Sequence, residues 1–136
     1  VDPHHLVEDT GIVLGECLHK ILEDFAPLSR YGHAVIPMDD ALSEVSVDVC
    51  ERPYLVFNAD FPQYFCGNFD TSLLREFFQG FSNNARVNLH CNCRYGENSH
   101  HMAESLFKAF GISLGQAYTP KGKGGTSSSM STKGSL

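Results

Sequence analysis

The chain has 136 residues, a formal net charge of −6 and 42% hydrophobic residues. These values predict one globular domain over residues 1–136, and the small number of Lys and Arg residues argues against a general nucleic-acid-binding protein. The sequence has no run of 18 apolar residues and no basic start followed by an apolar stretch, so we expect no membrane partner and no signal peptide.

The five cysteines are not typical of a disulfide framework or a zinc ribbon, because their number is odd and no CxxC pair occurs. We expect small, mostly buried side chains in a reducing compartment, which predicts a cytoplasmic protein. An organelle is the alternative if a transit segment precedes Val1. Histidine is more unusual, since four of the seven lie in two adjacent pairs.

The first half of the chain predicts a helix followed by strands. Apolar residues at helical spacing indicate a helix over about 6–24, with Pro3 just ahead of it and Pro27 ending it. Alternation in "SEVSVDVC" and "YLVFNADF" predicts two strands joined by a short turn at "ERP".

The second half predicts a helix over about 71–84, a strand in "ARVNLHCNCRY" and a helix over about 100–117 capped by "GENS". From Lys121 the tail is rich in Gly, Ser and Lys. This order predicts an α+β fold with helices layered on one face of a mixed β-sheet.

A repeat is the strongest signal in the sequence. An offset of 96 residues superposes His4 on His100, His5 on His101 and Glu8 on Glu104, and two further identities follow without a gap (Gly15 with Gly111, Leu18 with Leu114). We therefore expect a duplicated half-domain. The first repeat is incomplete and ends near residue 30, the second spans about 31–118, and a tail covers 119–136.

The repeated HHxxE pattern predicts a metal site. On a helix, adjacent histidines diverge by about 100°, so each imidazole can bind a different ion, with the glutamate within reach of both. Two such helices facing each other would hold two metals. Imidazole and carboxylate ligands suit Mn²⁺ or Fe²⁺ better than a thiolate zinc site.

Four Arg and Lys residues are candidates for an anion-binding site. Arg30, Arg52, Lys108 and Lys133 are most simply solvated surface charges when taken singly. Lys108 lies four residues after Glu104, on the metal-facing side of its helix. With the hydroxyls of Ser131 and Thr132, such cations could bind an anion such as phosphate.

The segments "DPHHLVEDTGIVLGE", "SRYGHAVIPMDDAL", "VDVCERPYLVF", "LHCNCRYGENSHHMAESLFKAF" and "STKG" closely resemble the imidazoleglycerol-phosphate dehydratase family. The resemblance implies two repeated halves with a fold like the second domain of ribosomal protein S5. It also implies large symmetric homo-oligomers with active sites between subunits. The implied activity is a hydro-lyase of L-histidine biosynthesis that dehydrates D-erythro-imidazole glycerol phosphate, using two Mn²⁺ ions per active site and a carboxylate for acid–base catalysis.

The resemblance also implies roles for individual residues. Both motifs would bind the metals and contact the substrate, with Glu8 and Glu104 as the catalytic carboxylates, and the set is His4, His5, Glu8, His100, His101 and Glu104. Substrate phosphate would be bound by Arg30, Arg52, Lys108, Ser131 and Lys133, with Thr132 beside them.

Two departures from the family pattern matter. The family pattern includes a portion ahead of the first motif, with an acid–base glutamate and a further metal histidine, and we expect the chain to be truncated there. Glu76 stands where many members have another metal histidine. Glu76 is therefore a candidate ligand, whereas His90 is expected to pack near the site without ligating. A truncated, inactive metal-binding fragment is the alternative function, and an unstable or oligomeric chain is expected. A two-metal phosphate hydrolase is disfavoured because its carboxylate-rich ligand set is lacking.

Overall fold

The computed structural model of the protein describes residues 2–25 and 27–121. Its elements, in chain order, are α1 (Pro3–Phe25), β1 (Tyr31–Met38), β2 (Ala41–Val49), β3 (Tyr54–Asn58), β4 (Phe65–Cys66), β5 (Phe69–Asp70), α2 (Leu73–Ala85), β6 (Val87–Tyr95) and α3 (Ser99–Ala117). The first helix begins earlier than predicted, because Pro3 is its first residue and does not lie ahead of it. No helix in these two ranges is both long and apolar enough to cross a bilayer.

Four strands form a mixed sheet in the order β1-β2-β6-β3, in which only the β3–β6 pair is parallel. The two strands predicted on either side of "ERP" are β2 and β3, and their connection is short, but they do not pair with each other because β6 lies between them. Strand β1 escaped prediction because small residues, Gly32 and Ala34, occupy its buried positions. The β4–β5 pair has only two residues in each strand.

One face of the sheet carries the core. In β2 the residues alternate between fully buried and half-buried, and the buried side faces the helices. Aromatic rings fill the space between α2 and α3, with centroids 4.8 Å apart for Phe81 and Phe110 and 5.2 Å apart for Phe78 and Phe110. The predicted α+β class, with helices on one face of a mixed sheet, is confirmed.

The three helices run parallel to one another. Along α1 and α2, Gly11 lies against Phe77 and Gly15 against Phe81, so the contact advances in the same direction on both helices. Along α2 and α3, Phe77 meets Phe107 and Phe81 meets Phe110. All three helices therefore begin at the same end of the molecule.

Helix α1 packs on α2 at backbone distance and leaves its other side open. A Cβ at Gly11 would lie 2.3 Å from the Phe77 carbonyl oxygen. On the opposite side, Leu6 is 69% exposed and Val13 is 56% exposed. Helix α1 therefore exposes apolar side chains on this side. The division into two repeats stays a prediction.

The paired positions Gly15 and Gly111 give a stability test with an internal control. In Gly15→Ala the new Cβ would lie 2.7 Å from the Phe81 carbonyl oxygen, so we expect a loss of about 1–3 kcal/mol in the free energy of unfolding. In Gly111→Ala nothing lies within 4 Å, and alanine's higher helix propensity should add about 0.5–1 kcal/mol. Urea denaturation of the metal-free protein measures both. Equal losses at the two positions would contradict the α1–α2 packing described above.

Candidate active site

Both HHxxE motifs lie at the shared end of the helix layer, in the first two turns of α1 and of α3. Between these turns is a cleft of about 610 Å³. Its lining comes from all three helices and includes Leu6, Val7, Leu74, Phe77, His100 and Glu104. The parallel packing thus places the two repeated motifs on either side of one apolar cleft.

The two motifs have the same local geometry. The distance from Nε2 of the first histidine to Oε2 of the glutamate is 3.7 Å for His4–Glu8 and 3.3 Å for His100–Glu104. The two imidazole rings of each pair are inclined by 68° and 62°, respectively. In each motif, one nitrogen and one carboxylate oxygen are placed to share an ion, while the second histidine turns toward a different position.

The second histidine of each motif is held by an aspartate. Nδ1 of His5 lies 2.8 Å from Oδ1 of Asp2, and Nδ1 of His101 lies 2.5 Å from Oδ1 of Asp40. Asp39 Oδ2 lies 3.4 Å from Nε2 of His101. Sequence reasoning missed both ring-holding aspartates. The i,i+3 spacing in "DPHH" could have revealed Asp2, but Asp40 is 61 residues from its histidine.

These contacts shift the pKa of both partners. The pKa of Asp2 is lowered by a hydrogen bond from the backbone N–H of His5 and then by one from its ring. The pKa of Asp40 lies far below its usual range because the His101 ring and two backbone N–H groups donate to it. The hydrogen bonds from the two rings to Asp2 and Asp40 raise the pKa of His5 and His101.

Lys108 lies beside the second motif, as predicted. Its Nζ is 2.7 Å from Oε1 of Glu104, one helical turn away. The hydrogen bond from Lys108 lowers the pKa of the Glu104 carboxyl, with the neighbouring histidine charges adding to the effect. Glu104 is therefore held ionised, as a metal ligand must be.

Glu76 lies in the first turn of α2 and is half-buried. It precedes by one turn Gly80, where an added Cβ would lie 3.0 Å from the backbone oxygen of Glu8. This places Glu76 on the side of α2 that faces the start of α1. Within the described part of the chain, no ion pair joins it to either motif, so its role as a ligand stays a prediction.

The described residues of one chain do not complete a metal centre. Within residues 2–25 and 27–121, no three His, Cys, Asp or Glu side chains are close enough together to hold one ion. The donor chemistry still fits Mn²⁺, because each motif offers an imidazole nitrogen and a carboxylate oxygen side by side. The remaining ligands of each ion would have to come from elsewhere.

Arg30 lies at the opposite end of the helix layer. Its backbone N–H donates to the carbonyl of Ala117 at the end of α3, about 25 Å from His100 by helix rise. The buried guanidinium donates to Asp48 at 2.7 and 3.2 Å and lies 4.8 Å from the Tyr31 ring centroid. The hydrogen bonds to Asp48 raise the pKa of Arg30, and its Nη1 is buried without a partner.

Arg52 is at the same end, because the strand before it is tied to Arg30 through the Val49 N–H. Its side chain is exposed, and its carbonyl accepts a 2.5 Å hydrogen bond from Nδ2 of Asn88. Both arginines are therefore remote from the histidine motifs of their own chain. Sequence reasoning did not foresee this separation.

Three residues predicted to bind the phosphate, Ser131, Thr132 and Lys133, lie outside the described residues. His90 is exposed in the middle of β6, on the face of the sheet away from the helices. The expectation that it packs near the site is therefore wrong, because strand alternation sends its side chain to the other face.

Comparisons with known proteins agree on one family. The family model described as imidazoleglycerol-phosphate dehydratase matches residues 1–114. Imidazoleglycerol-phosphate dehydratase from Trichlorobacter lovleyi is 52% identical over 136 residues, all of this chain and 69% of the relative. The enzyme of the same name from Nitrosomonas europaea is 52% identical over 119 residues, which are 88% of this chain and 60% of the relative.

Solved structures give the same result. The imidazoleglycerol-phosphate dehydratase of Staphylococcus aureus superposes with a TM-score of 0.87 at 45% identity, covering 89% of this chain and 71% of that protein. The Pyrococcus furiosus structure gives a TM-score of 0.84 at 40% identity, covering 98% of this chain and 71% of that one. The chain thus matches about 60–70% of the length of these relatives.

The Asp40–His101 pair predicts a distinctive pH dependence of stability. Because the pKa of Asp40 is lowered in the folded state, its carboxylate stabilises the fold above about pH 4, and this stabilisation is lost as the pH falls further. Because the pKa of His101 is raised in the folded state, its charged ring stabilises the fold fully below about pH 6.5, and this stabilisation is lost as the pH rises through the folded-state pKa. The stability gap between the wild type and Asp40→Asn should be widest between these limits.

Urea denaturation of both proteins from pH 2.5 to 9 measures this gap. Asp60→Asn, which removes the same charge at another exposed position, is the control and should show no such maximum. A gap for Asp40→Asn that does not change with pH would contradict the ion pair.

Proposed function

The chain belongs to the imidazoleglycerol-phosphate dehydratase family of hydro-lyases, and we propose that it dehydrates D-erythro-imidazole glycerol phosphate to imidazole acetol phosphate in L-histidine biosynthesis. The family predicted from the sequence resemblance is confirmed. The observation that carries the proposal is the repeated geometry of the two HHxxE motifs, each with a nitrogen and an oxygen donor 3.3–3.7 Å apart.

We propose two Mn²⁺ ions per active site as the cofactors. In this scheme the first histidine and the glutamate of each motif, His4 with Glu8 and His100 with Glu104, share an ion, and the second histidine binds another. The ions would stabilise negative charge on the substrate during the reaction. The side-by-side donors and the ionised state of Glu104 support the assignment.

The two carboxylates are suited to different tasks. Glu104 is held ionised by Lys108, and a carboxyl with a lowered pKa is a weak proton acceptor. It is therefore better suited to binding metal than to taking a proton. Glu8 has no lysine beside it among the described residues, so it could remove a proton from the glycerol chain only where it does not ligate an ion.

Substrate binding requires more than one chain. Arg30 lies about 25 Å from His100 by helix rise, and Arg52 is at the same end of the molecule, so neither is placed to bind the phosphate of a ligand held at His100 of the same chain. We therefore propose a large symmetric homo-oligomer in which these arginines complete a neighbouring chain's site. Ser131, Thr132 and Lys133 would join the phosphate site. The unpartnered Nη1 of Arg30 supports an anion there.

A cytoplasmic location is proposed from the free cysteines.

The Mn²⁺-dependent reaction is directly testable. Water elimination from imidazole glycerol phosphate should require Mn²⁺, stop on chelation and return when Mn²⁺ is added. His100→Asn removes a donor and should lower kcat/KM on the order of 100-fold or more. His90→Asn, an exposed histidine on the other face of the sheet, is the control and should retain activity.

Two results would speak against this function. Bound Mn²⁺ without turnover would favour the alternative of an inactive metal-binding fragment. Equal activity with and without metal would contradict the metal assignment itself.

The shared site predicts complementation between inactive variants. Arg52→Ala and His101→Asn should each be nearly inactive alone, since each removes one half of every site. Chains of the two kinds assembled together would form some sites with both halves intact, and a substantial fraction of activity should return. The assay follows turnover after mixed refolding. Mixing Arg52→Ala with Arg30→Ala is the control and should recover nothing. The shared site would be contradicted if the Arg52→Ala and His101→Asn mixture recovered no activity, or if the control recovered as much.

A further inference from the structure

Asp2 performs two tasks at the start of α1. Its Oδ1 accepts a hydrogen bond from the backbone N–H of His5 at 3.0 Å, which caps the helix. The same oxygen lies 2.8 Å from Nδ1 of the His5 ring. One side chain therefore both starts the helix and fixes the imidazole.

The second repeat divides these tasks between two residues. The offset of 96 places Asn98 at the position of Asp2. Asn98 Oδ1 caps α3 by accepting from the backbone N–H groups of His100 and His101 at 2.9 and 3.4 Å. The ring of His101 is instead held by Asp40 from the turn between β1 and β2, at 2.5 Å.

Asp40 is itself firmly oriented. Its Oδ2 accepts hydrogen bonds from the backbone N–H groups of Glu97 at 2.5 Å and Asn98 at 2.9 Å. With one oxygen fixed in this way, the other cannot rotate away from the His101 ring. The β1–β2 turn is thereby connected directly to the candidate metal ligand.

We propose that Asp2 and Asp40 are positioning residues that hold His5 and His101 as the Nδ1–H tautomer, so that Nε2 of each ring is the donor atom. An ionised carboxylate can only accept, and a neutral imidazole has one N–H. Asp39 lies 3.4 Å from Nε2 of His101 without a hydrogen bond, whereas Asp40 is hydrogen-bonded to Nδ1 at 2.5 Å, so Nδ1 carries the N–H. In the second repeat Asp40 takes over the task that the capping residue performs in the first. The importance of this tautomer for metal binding rests on the proposed function.

Asp40→Asn tests the proposal without requiring activity. The two backbone N–H groups need an acceptor, so the amide oxygen would face them and the NH₂ group would face the His101 ring. Nδ1 would then have to accept, which favours the Nε2–H tautomer. Ring ¹⁵N chemical shifts of the metal-free protein report the tautomer, and manganese EPR during titration should show Mn²⁺ binding weakened about 10–100-fold.

A double variant supplies the rescue. Asn98→Asp combined with Asp40→Asn restores a carboxylate where the first repeat has it, and should return His101 to the Nδ1–H form and recover Mn²⁺ affinity. Glu97→Gln removes a nearby charge without altering Asp40 and should leave the tautomer unchanged.

Three outcomes would overturn the inference. They are an unchanged His101 tautomer in Asp40→Asn, a switched tautomer with unchanged Mn²⁺ affinity, or a failed rescue. A wild-type protein that binds no Mn²⁺ would end the proposed lyase function, while the ¹⁵N shifts would still decide whether Asp40 sets the tautomer.

Discussion

Gly11 and Gly15 allow α1 to lie against the backbone of α2, and much of the site's geometry depends on this contact. A side chain at either position would push the helices apart, because the nearest atoms belong to the main chain. With α1 and α2 in register and α3 packed through phenylalanines on the other side of α2, all three helices start together. The two histidine motifs reach the same end of the molecule for this reason.

The aligned helix starts also set the electrostatics of that end. Helix N-termini carry partial positive charge that falls off within the first turn, which favours the carboxylates of Asp2 at α1 and Asp40 at α3 and disfavours bare cations. Each histidine motif therefore comes with acidic partners that offset both the helix ends and a bound ion. The second histidines are hydrogen-bonded to aspartates, whereas the first histidines face glutamates. Two adjacent and chemically identical side chains thus receive different environments and can take different roles.

The sequence was informative where the signal is periodic or repeated. Helix positions, the α+β class and the pairing of His4 with Glu8 all follow from local spacing. The order of the strands in the sheet does not follow from local spacing, because the insertion of β6 between β2 and β3 depends on contacts distant in the sequence. The Asp40–His101 contact was invisible for the same reason. The separation of Arg30 from the motifs needed the direction of β1 relative to α3, which no local pattern encodes. Ser131, Thr132 and Lys133 lie beyond the described residues, so their prediction stands untested.

The distance between the arginines and the histidine motifs constrains how copies of the chain would associate. A contact that matches the arginine end of one molecule to the histidine end of the next joins two unlike surfaces. Such contacts either continue as an open filament, whose two end molecules would each keep one incomplete active site, or close into a ring or shell. Only closure would let every copy both supply arginines to a neighbour and receive them, so site sharing as proposed would require point-group symmetry and not a linear polymer.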